Sequence, residues 1–355
     1  MSSPIRTAER PSAERRAATV AAYAGGAVTA AGAIGIGVLL GQAWLARLTI
    51  PGAESPPPRS GGDYGQNYEG TPLRLAVIGD STAAGYGVRT RAETPGALLA
   101  TWIADALRRP VRLVCPAVVG SISAWLVPQV ETALEADHSA GIDLAIVFIG
   151  ANDVTTASKS SVAIGHLAAA VRTLRAAGAE VVVATCPDLG SIRPIRAPLR
   201  WVARRWSRQF AAAQTVAAVA EGARTVSLGD LLGPQFDAAP DRLFGDDRFH
   251  PSAEGYEAAA AVVLPSALAA LGVRTQPGGA PVLSLPQAAV AAAHNPGTEV
   301  RAAGPSSTAG ALAWLRRRVW GRDASATVGQ DTERVKAVPS ESEAVVRPAL
   351  PSRRR

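Results

Sequence analysis

A serine at the end of an apolar stretch is the first residue of this sequence that could do chemistry. Residues 73–78 are mostly aliphatic and run directly into Gly79-Asp80-Ser81. A buried strand that ends in a glycine turn can present one hydroxyl at the edge of a sheet, and a serine there can act as a nucleophile if a base and an oxyanion site are supplied. By itself Gly-Asp-Ser is also ordinary turn chemistry. Ser81 therefore needs support from the rest of the chain.

A carboxylate and an imidazole further along the chain could supply the base. Asp247 precedes His250 by three residues, just ahead of a helix pattern that begins at Ser252. At this spacing the carboxylate can hydrogen-bond the ring, fix its tautomer and favour the imidazolium that forms during attack. A pair of this kind is also common on protein surfaces. Asp80 is expected to shape the turn rather than to serve as the acid. The other histidines lie in or beside predicted helices or in the C-terminal tail: His138, His166 and His294.

Two further turns could stabilise an oxyanion. Residues 143–149 form a near-continuous apolar run, typical of a strand buried on both faces, and Gly150-Ala151-Asn152-Asp153 follow. An asparagine in such a turn can direct its amide into the same crevice as Ser81. The backbone N–H of Gly120, which follows another predicted strand, could add a second donor. A lone glycine of this kind is otherwise most often a simple turn residue.

The candidate residues lie between strands and helices that alternate along the chain. We predict strands at residues 73–78, 111–114, 143–149, 181–185 and 225–228, and helices at residues 95–107, 126–136, 162–177, 198–220 and 252–271. Repeated βα units form a parallel sheet with helices on both faces. The carboxyl ends of parallel strands collect their loops at one edge. We expect Ser81, Gly120, Asn152, Asp247 and His250 to meet at that edge.

These blocks, in this order, resemble the SGNH (GDSL-type) ester hydrolase family. The resemblance covers about residues 71–272 and rests on Gly79-Asp80-Ser81, Gly120, Gly150-Ala151-Asn152-Asp153 and Asp247-Arg248-Phe249-His250-Pro251. The second block departs from the family pattern, which often has an asparagine and a further glycine before Gly120. The resemblance implies an α/β, three-layer α/β/α flavodoxin-like fold with a five-stranded parallel sheet. It implies no metal and no cofactor. With its N-terminal segment, the chain is similar to membrane-anchored members of actinobacterial type.

The resemblance also implies a role for each site residue. Ser81 would attack an acyl carbonyl, His250 would be the base, and Asp247 would orient the base. The backbone N–H groups of Ser81 and Gly120 and the side chain of Asn152 would form the oxyanion hole. The implied enzyme is an esterase, lipase or acylhydrolase that cleaves small-molecule, lipid or glycan esters through an acyl-enzyme intermediate. Alternatives are an O-acyltransferase or deacetylase acting on cell-envelope glycans, and a non-catalytic envelope protein.

The N-terminal part of the chain predicts a membrane anchor. Residues 1–16 are polar and arginine-bearing, residues 17–46 carry no charge, and residues 47–70 form a Pro/Gly-rich linker. The uncharged stretch exceeds the roughly 20 residues that span a bilayer, and arginines before it favour a cytoplasmic N-terminus. We therefore predict an anchored protein whose catalytic domain lies outside the cytoplasm. The alternatives are a cleaved signal peptide, which would give a secreted protein, and a buried helix.

Positive charge is concentrated at the two ends of the chain. The net charge is +7, but most of the excess arginines lie in residues 1–16 and 273–355, so we expect no nucleic-acid-binding core. Residues 273–355 are a basic, low-complexity tail that we predict to be largely disordered. Within this tail, the segment Trp314–Arg322 combines aromatic and basic residues and could contact an anionic surface.

A second arginine-rich segment, residues 192–208, follows the predicted strand at residues 181–185. Its start is therefore expected near the site. One interpretation is a lip, carrying Arg193 and Arg196, that binds anionic headgroups or cell-wall polymer. The other is that Arg200, Arg204 and Arg208 simply form the solvated face of a helix.

Two cysteines, Cys115 and Cys186, are too few for a disulfide framework. In a flavodoxin-like sheet with strand order 2-1-3-4-5 they end strands three spacings apart, roughly 14 Å at about 4.8 Å per spacing. A disulfide needs Cα atoms within about 7 Å. We therefore predict two free thiols.

Overall fold

The computed structural model describes residues 37–45, 55–136, 141–156 and 158–273, with two-residue strands at Val282–Leu283 and Arg301–Ala302. The predictions for residues 1–16, most of residues 17–46 and the segment Trp314–Arg322 fall outside these residues. Within the described ranges no helix has the length and apolar character needed to cross a membrane.

Six strands form one sheet: β1 Gly62–Tyr64, β2 Leu73–Gly79, β3 Val111–Val114, β4 Leu144–Phe148, β5 Glu180–Ala184 and β6 Arg224–Val226. Their order across the sheet is β1-β3-β2-β4-β5-β6. All neighbours from β3 to β6 are parallel. The predicted flavodoxin-like order is therefore confirmed for the five parallel strands.

The strand count corrects the prediction of a five-stranded sheet. β1 lies in the segment predicted to be linker and pairs antiparallel with β3. Asp63 stands opposite Arg112, and the two side chains form an ion pair of 2.9 Å. The three residues of β1 contain no apolar run, so no sequence pattern marks them. Their conformation follows from the free edge of β3, which would otherwise expose unpaired backbone groups.

The helices connect the strands: α1 Ser81–Ala84, α2 Pro95–Leu107, α3 Leu126–Glu135, α4 Ala151–Thr155, α5 Ser160–Ala176, α6 Leu199–Ala220, α7 Leu228–Ala238, α8 Pro240–Leu243 and α9 Ala253–Ala270. The five predicted helices are confirmed with ends that differ by at most two residues. Ser252 caps α9 by accepting a hydrogen bond of 3.1 Å from the Gly255 N–H. The prediction missed α1, α4, α7 and α8. Of these, α7 follows the last strand directly.

Both faces of the sheet are covered, which gives the three layers. Leu75 and Val77 of β2 pack in one apolar cluster with α2 and α9. Ala76 and Ile78 pack in a second cluster with α3 and α5. This alternation is the two-residue period of a strand. The whole of β4 is buried, as the apolar run predicts for a central strand.

The two cysteines follow strands that are not neighbours. Cys115 comes directly after β3 and Cys186 two residues after β5, three spacings across the sheet. Both are free thiols. In the part of the chain that the structure describes, no group of three or more His, Cys, Asp or Glu side chains could hold a metal ion.

Gln42, in the helical segment at residues 37–45, hydrogen-bonds to the body of the protein. The amide of Gln42 donates to the Ala197 carbonyl at 2.8 Å and accepts from the Leu199 N–H at 3.1 Å. Leu199 begins α6, and the N-cap residue of that helix makes no side-chain cap of its own. Gln42 therefore satisfies one of the backbone donors that every helix N-terminus leaves free.

Candidate active site

Residues 79–87, here called the serine turn, place Ser81 at the carboxyl end of β2. Gly79 has φ of +143°, and a Cβ there would lie 1.8 Å from the Phe148 carbonyl oxygen. Only glycine therefore lets β2 pass this close to β4. Asp80 caps α1 by accepting a hydrogen bond of 2.9 Å from the Thr82 N–H, which is the turn-shaping role predicted for it. Ser81, the first residue of α1, is 7% exposed.

Residues 244–251, here called the histidine loop, close on themselves. Phe244 and Pro251 form an antiparallel bridge, and the Gly245 N–H donates to the His250 carbonyl at 2.8 Å. Oδ1 of Asp247 accepts the backbone N–H groups of Phe249 and His250, both at 2.9 Å. These two hydrogen bonds to the Asp247 carboxylate therefore hold the loop in its turn. The spacing of three residues between Asp247 and His250 arises from this local geometry.

The serine turn and the histidine loop bring three side chains into line. Nε2 of His250 lies 3.0 Å from Oγ of Ser81, although the residues are 169 positions apart. Nδ1 of His250 lies 2.6 Å from Oδ2 of Asp247. Burial raises the pKa of Asp247, but the hydrogen bonds from His250 and from two backbone N–H groups outweigh it and hold that pKa below its usual value. An ionised carboxylate only accepts, so Nδ1 carries the proton and Nε2 is free to accept the serine hydroxyl.

The second carboxylate near Ser81 behaves differently. Asp80 is 2% exposed, and burial raises its pKa from 3.8 to about 6. The hydrogen bond from Thr82 and the attraction of His250 offset only part of this effect. Asp80 therefore accepts too few hydrogen bonds to compensate for the loss of hydration.

Aromatic rings fix the orientation of the imidazole. The ring of His250 makes edge contacts with Tyr86 at 4.7 Å and with Phe249 at 4.8 Å between centroids. The carbonyl of Tyr86 accepts the hydroxyl of Tyr256 at 2.8 Å, and Tyr256 is fully buried in α9. This hydrogen bond from Tyr256 thus anchors the backbone of Tyr86 to the core.

Asn152 and Asp153 tie α4 to the loop that follows β3. Asn152 donates from Nδ2 to the Ser121 carbonyl at 2.9 Å. Asp153 accepts the Ser123 N–H at 3.0 Å and the Ser123 hydroxyl at 2.9 Å. Gly150, which precedes them, has φ of +126°, and a Cβ there would meet a neighbouring glutamine amide at 2.9 Å. This glycine is therefore required for the turn that presents Asn152.

Gly120 stands apart from the other predicted site residues. It is exposed with φ of +82°, and it is not among the residues that line the cavity beside Ser81. Its neighbour Ser121 is the residue that Asn152 contacts. The structure thus brings Ser81, Asn152, Asp247 and His250 together, whereas the role of the Gly120 N–H stays a prediction.

A buried glutamine that the sequence analysis missed braces the serine turn. Oε1 of Gln129 accepts the Gly79 N–H at 2.8 Å. Its Nε2 donates to the Gly79 carbonyl at 3.0 Å and to the Ser121 hydroxyl at 3.1 Å. Gln129 therefore joins the end of β2 to the loop that contacts Asn152. A signal was available, since Gln129 lies on the apolar stripe of α3, where a polar residue has no packing reason to be: Leu126, Gln129, Val130 and Ala133.

A second buried glutamine links the carboxyl ends of two neighbouring strands. Gln214 of α6 donates to the Ile149 carbonyl at 2.9 Å and accepts the Cys186 N–H at 2.7 Å. It therefore links the carboxyl end of β4 to that of β5. Like Gln129, it is polar within a buried helix stripe.

A cavity of about 70 Å³ opens beside Ser81, and Asn152 and His250 also line it. Most of its remaining lining is apolar and comes from α7, the loop after β5 and the histidine loop: Ile192, Leu228, Leu232, Phe236, Phe244 and Phe249. The sequence analysis missed this surface because it missed α7, although apolar residues recur there every four positions.

An ion-pair network lies behind the cavity and corrects the prediction of a solvated arginine face. Asp188, 3% exposed, accepts from Arg204 at 3.0 Å and from Arg208 at 3.2 Å. Asp237 of α7 accepts from Arg200 at 3.0 Å and from Arg204 at 2.6 Å. Arg200 and Arg204 are partly buried rather than solvated, because carboxylates distant in sequence reach them, whereas Arg208 is paired but stays exposed as predicted. The network fastens α6, α7 and the loop after β5 together.

The arginines of the predicted lip have a different environment. Arg193 and Arg196 are exposed, and Arg193 donates to the Asp237 carbonyl. Trp201 and Trp206 on α6 are 69% and 51% exposed. Binding of an anionic surface by this region stays a prediction.

Comparison with known sequences identifies the family. The model of the GDSL-like Lipase/Acylhydrolase family matches residues 77–258, which span the serine turn and the histidine loop. The chain belongs to this family. A GDSL-like esterase of Mycobacterium tuberculosis is 39% identical over 259 residues, which cover 69% of this chain and 81% of the relative. This GDSL-family protein is therefore an enzyme that hydrolyses ester bonds, and the resemblance found in the sequence is confirmed.

Solved structures of low identity are also similar to it. The structure named TesA is 21% identical, covers 55% of this chain and 97% of its own, and has a TM-score of 0.45. A variant of an acetyl-xylooligosaccharide esterase from Geobacillus is 17% identical over 59% of this chain and 99% of its own, with a TM-score of 0.44. A Slackia heliotrinireducens protein assigned to the SGNH hydrolases is 21% identical over 55% of this chain and 99% of its own, with a TM-score of 0.42.

Proposed function

We propose that this GDSL-family protein is a serine ester hydrolase in which Ser81 is the nucleophile, His250 the general base and Asp247 the residue that orients the base. The observation that carries the proposal is the line of contacts from Ser81 through His250 to Asp247, at 3.0 and 2.6 Å. These are hydrogen-bond distances, within which a base can take a proton from a hydroxyl.

In the first half-reaction, Nε2 of His250 takes the hydroxyl proton of Ser81 while Oγ attacks the ester carbonyl. The tetrahedral intermediate collapses, and the C–O bond to the alcohol breaks as His250 returns the proton to the leaving oxygen. In the second half-reaction, water attacks the acyl-enzyme and gives its proton to His250. The acid then leaves, and the proton returns to Ser81. Asp247 stays ionised throughout and stabilises the imidazolium.

The oxyanion would be bound by two or three N–H donors. Ser81 begins α1, and the first N–H groups of a helix have no partner within the helix. Asn152 uses one amide hydrogen for Ser121, so its second remains for the substrate. Gly120 would add its backbone N–H. Removal of one such donor costs about 10²- to 10³-fold in kcat in enzymes of this chemistry.

Labelling with a fluorophosphonate probe, together with hydrolysis of p-nitrophenyl butyrate, tests the proposal. Ser81→Ala should abolish both labelling and turnover while thermal unfolding stays close to that of the wild type. Ser191→Ala is the matched control, because Ser191 also lines the cavity but donates its hydroxyl to the Asp188 carbonyl. Labelling that survives Ser81→Ala, or is lost only in Ser191→Ala, would show that the nucleophile is misassigned.

The same residues would serve an O-acyltransferase or deacetylase acting on cell-envelope glycans. A transferase would turn over only with an acceptor alcohol in the assay, whereas the proposed hydrolase needs water alone. The proposed location, an N-terminal anchor with the catalytic domain outside the cytoplasm, rests on the charge-free stretch at residues 17–46 and the arginines before it.

A further inference from the structure

We propose that the cavity beside Ser81 binds the acyl group of the ester, and that Leu232 and Phe236 of α7 determine which acyl lengths fit. The preferred substrates are then esters of apolar acyl chains. This inference rests on the proposed function, since it assigns one part of the substrate to one part of the same site.

The lining of the cavity favours hydrocarbon over polar groups. Apart from Ser81, Asn152 and His250, most of the side chains that form it are aliphatic or aromatic. Thr82, Asp188 and Ser191 also line it, but their polar atoms are already used. The hydroxyl of Thr82 is used by Asp80. The carboxylate of Asp188 binds two arginines and the Gly190 N–H, and the hydroxyl of Ser191 donates to the Asp188 carbonyl. A polar acyl chain would lose hydration there without gaining comparable hydrogen bonds.

The reaction itself decides which half of the ester belongs in the cavity. The acyl group stays attached to Ser81 through both half-reactions. The alcohol must leave after the first, and water must then reach His250 from the side it vacates. A recess enclosed by the protein suits the part of the substrate that stays. We therefore assign the cavity to the acyl chain and the open side to the alcohol.

One face of α7 forms a wall of this recess. Leu228, Leu232 and Phe236 recur every four residues and all line the cavity, whereas Leu231 on the same helix does not. The wall is held in place, because Asp237 of α7 is paired with two arginines of α6. A wall fixed in this way gives the recess a defined depth, and a defined depth discriminates between acyl lengths.

A series of p-nitrophenyl esters from acetate to dodecanoate tests the assignment on the full chain. For the wild type, kcat/KM should rise about fourfold with each methylene until the recess is full, as expected for burial of a CH₂ group. Leu232→Ala should move the optimum to chains longer by about two carbons, and Phe236→Leu should act in the same direction. Leu232→Phe should move it to shorter chains. Leu231→Ala should keep the wild-type profile and serves as the matched control.

A second series separates the two halves of the ester. In butyrate esters of alcohols from methanol to octanol, the Leu232 variants should keep the wild-type order of rates. An unchanged acyl profile in both Leu232→Ala and Leu232→Phe would overturn the inference, as would a shift confined to the alcohol series. If Leu232→Ala fails to fold, Leu232→Phe and Phe236→Leu still decide the matter. Loss of the proposed function would look different, because the wild type itself would then neither react with the fluorophosphonate nor hydrolyse any ester.

Discussion

The serine turn and the histidine loop meet at one hydrogen bond, yet they are held in place by different means. The serine turn depends on the sheet and on a distant helix, because Gly79 fits only against β4 and its backbone is bound by Gln129 of α3. The histidine loop depends on itself, because Asp247 accepts two N–H groups of its own loop. Long-range packing therefore positions Ser81, the proposed nucleophile, whereas local hydrogen bonds position His250, the proposed base.

The buried carboxylates of these two regions have pKa values that are shifted in opposite directions. Asp80 and Asp247 are 2% and 6% exposed, so both are largely removed from water. The pKa of Asp80 is raised to about 6, mainly by burial, whereas three hydrogen bonds outweigh burial and lower the pKa of Asp247. Deeper burial and fewer hydrogen-bond donors both raise the pKa of Asp80 relative to that of Asp247.

Asp247→Asn should give the largest effect, because the amide keeps the shape of the side chain but loses its charge and can hold the ring in the wrong tautomer. In steady-state hydrolysis of p-nitrophenyl butyrate, kcat should fall about 10³- to 10⁴-fold with little change in KM. Asp246→Asn alters an exposed carboxylate one residue away and should retain wild-type kcat. Nearly full activity in Asp247→Asn would remove Asp247 from the proposed triad.

Gln129→Leu should have the next largest effect, because it removes all three hydrogen bonds that brace the serine turn. Urea unfolding should show a loss of about 2 to 4 kcal/mol in the free energy of unfolding. The kcat should fall about 10- to 100-fold as Ser81 loses its alignment, with KM little changed. Val130→Ala, which truncates a fully buried neighbour on the same helix, should lose stability but keep kcat. Equal kcat losses in the two variants would show that Gln129 acts only through stability.

Asp80→Asn should have the smallest effect, and that effect should depend on pH. Because the folded-state pKa is raised from 3.8 to about 6, the stabilising contribution of Asp80 is complete below about pH 4 and is lost as the pH rises through about 6. Asparagine cannot ionise, so the variant should gain about 2 to 3 kcal/mol relative to the wild type between about pH 4 and pH 7.5. Urea unfolding over this range measures the gain.

The same measurement, extended below pH 4, should show the opposite slope for Asp247→Asn, because a lowered pKa stabilises the folded state above the unfolded value and this contribution is lost as the pH falls below about 4. Parallel slopes for the two variants would contradict the contrast between the two carboxylates.

Much of the site could be predicted from the sequence because its parts are local. The apolar run before Gly79 predicts a strand that ends at a turn, and Asp247 and His250 are close enough in sequence for one loop to pair them. Asn152 follows the most apolar strand and therefore had to lie at the same sheet edge. Each of these inferences needs only neighbouring residues and the alternation of strands and helices.

The parts that could not be predicted depend on contacts between distant segments. β1 is a strand only because β3 offers it an edge, and Gln129 is a brace only because α3 packs beneath Gly79. The sequence predicts that Arg204 is solvated, whereas in the structure it pairs with Asp188 and Asp237 from two other elements. No local sequence pattern marks such pairings.

The order of the parallel strands was implied by the resemblance to the SGNH family. By itself, then, the sequence determined the alternation of strands and helices and the positions of Ser81, Asn152 and the Asp247–His250 pair. These follow from side-chain periodicity and from hydrogen bonds within a few residues. Only the tertiary structure decided the 3.0 Å contact between Ser81 and His250, the wall that α7 adds to the cavity and the opposite pKa shifts of two buried carboxylates. The physical reason is that distance, burial and the number of hydrogen-bond donors are set by residues far apart in the chain.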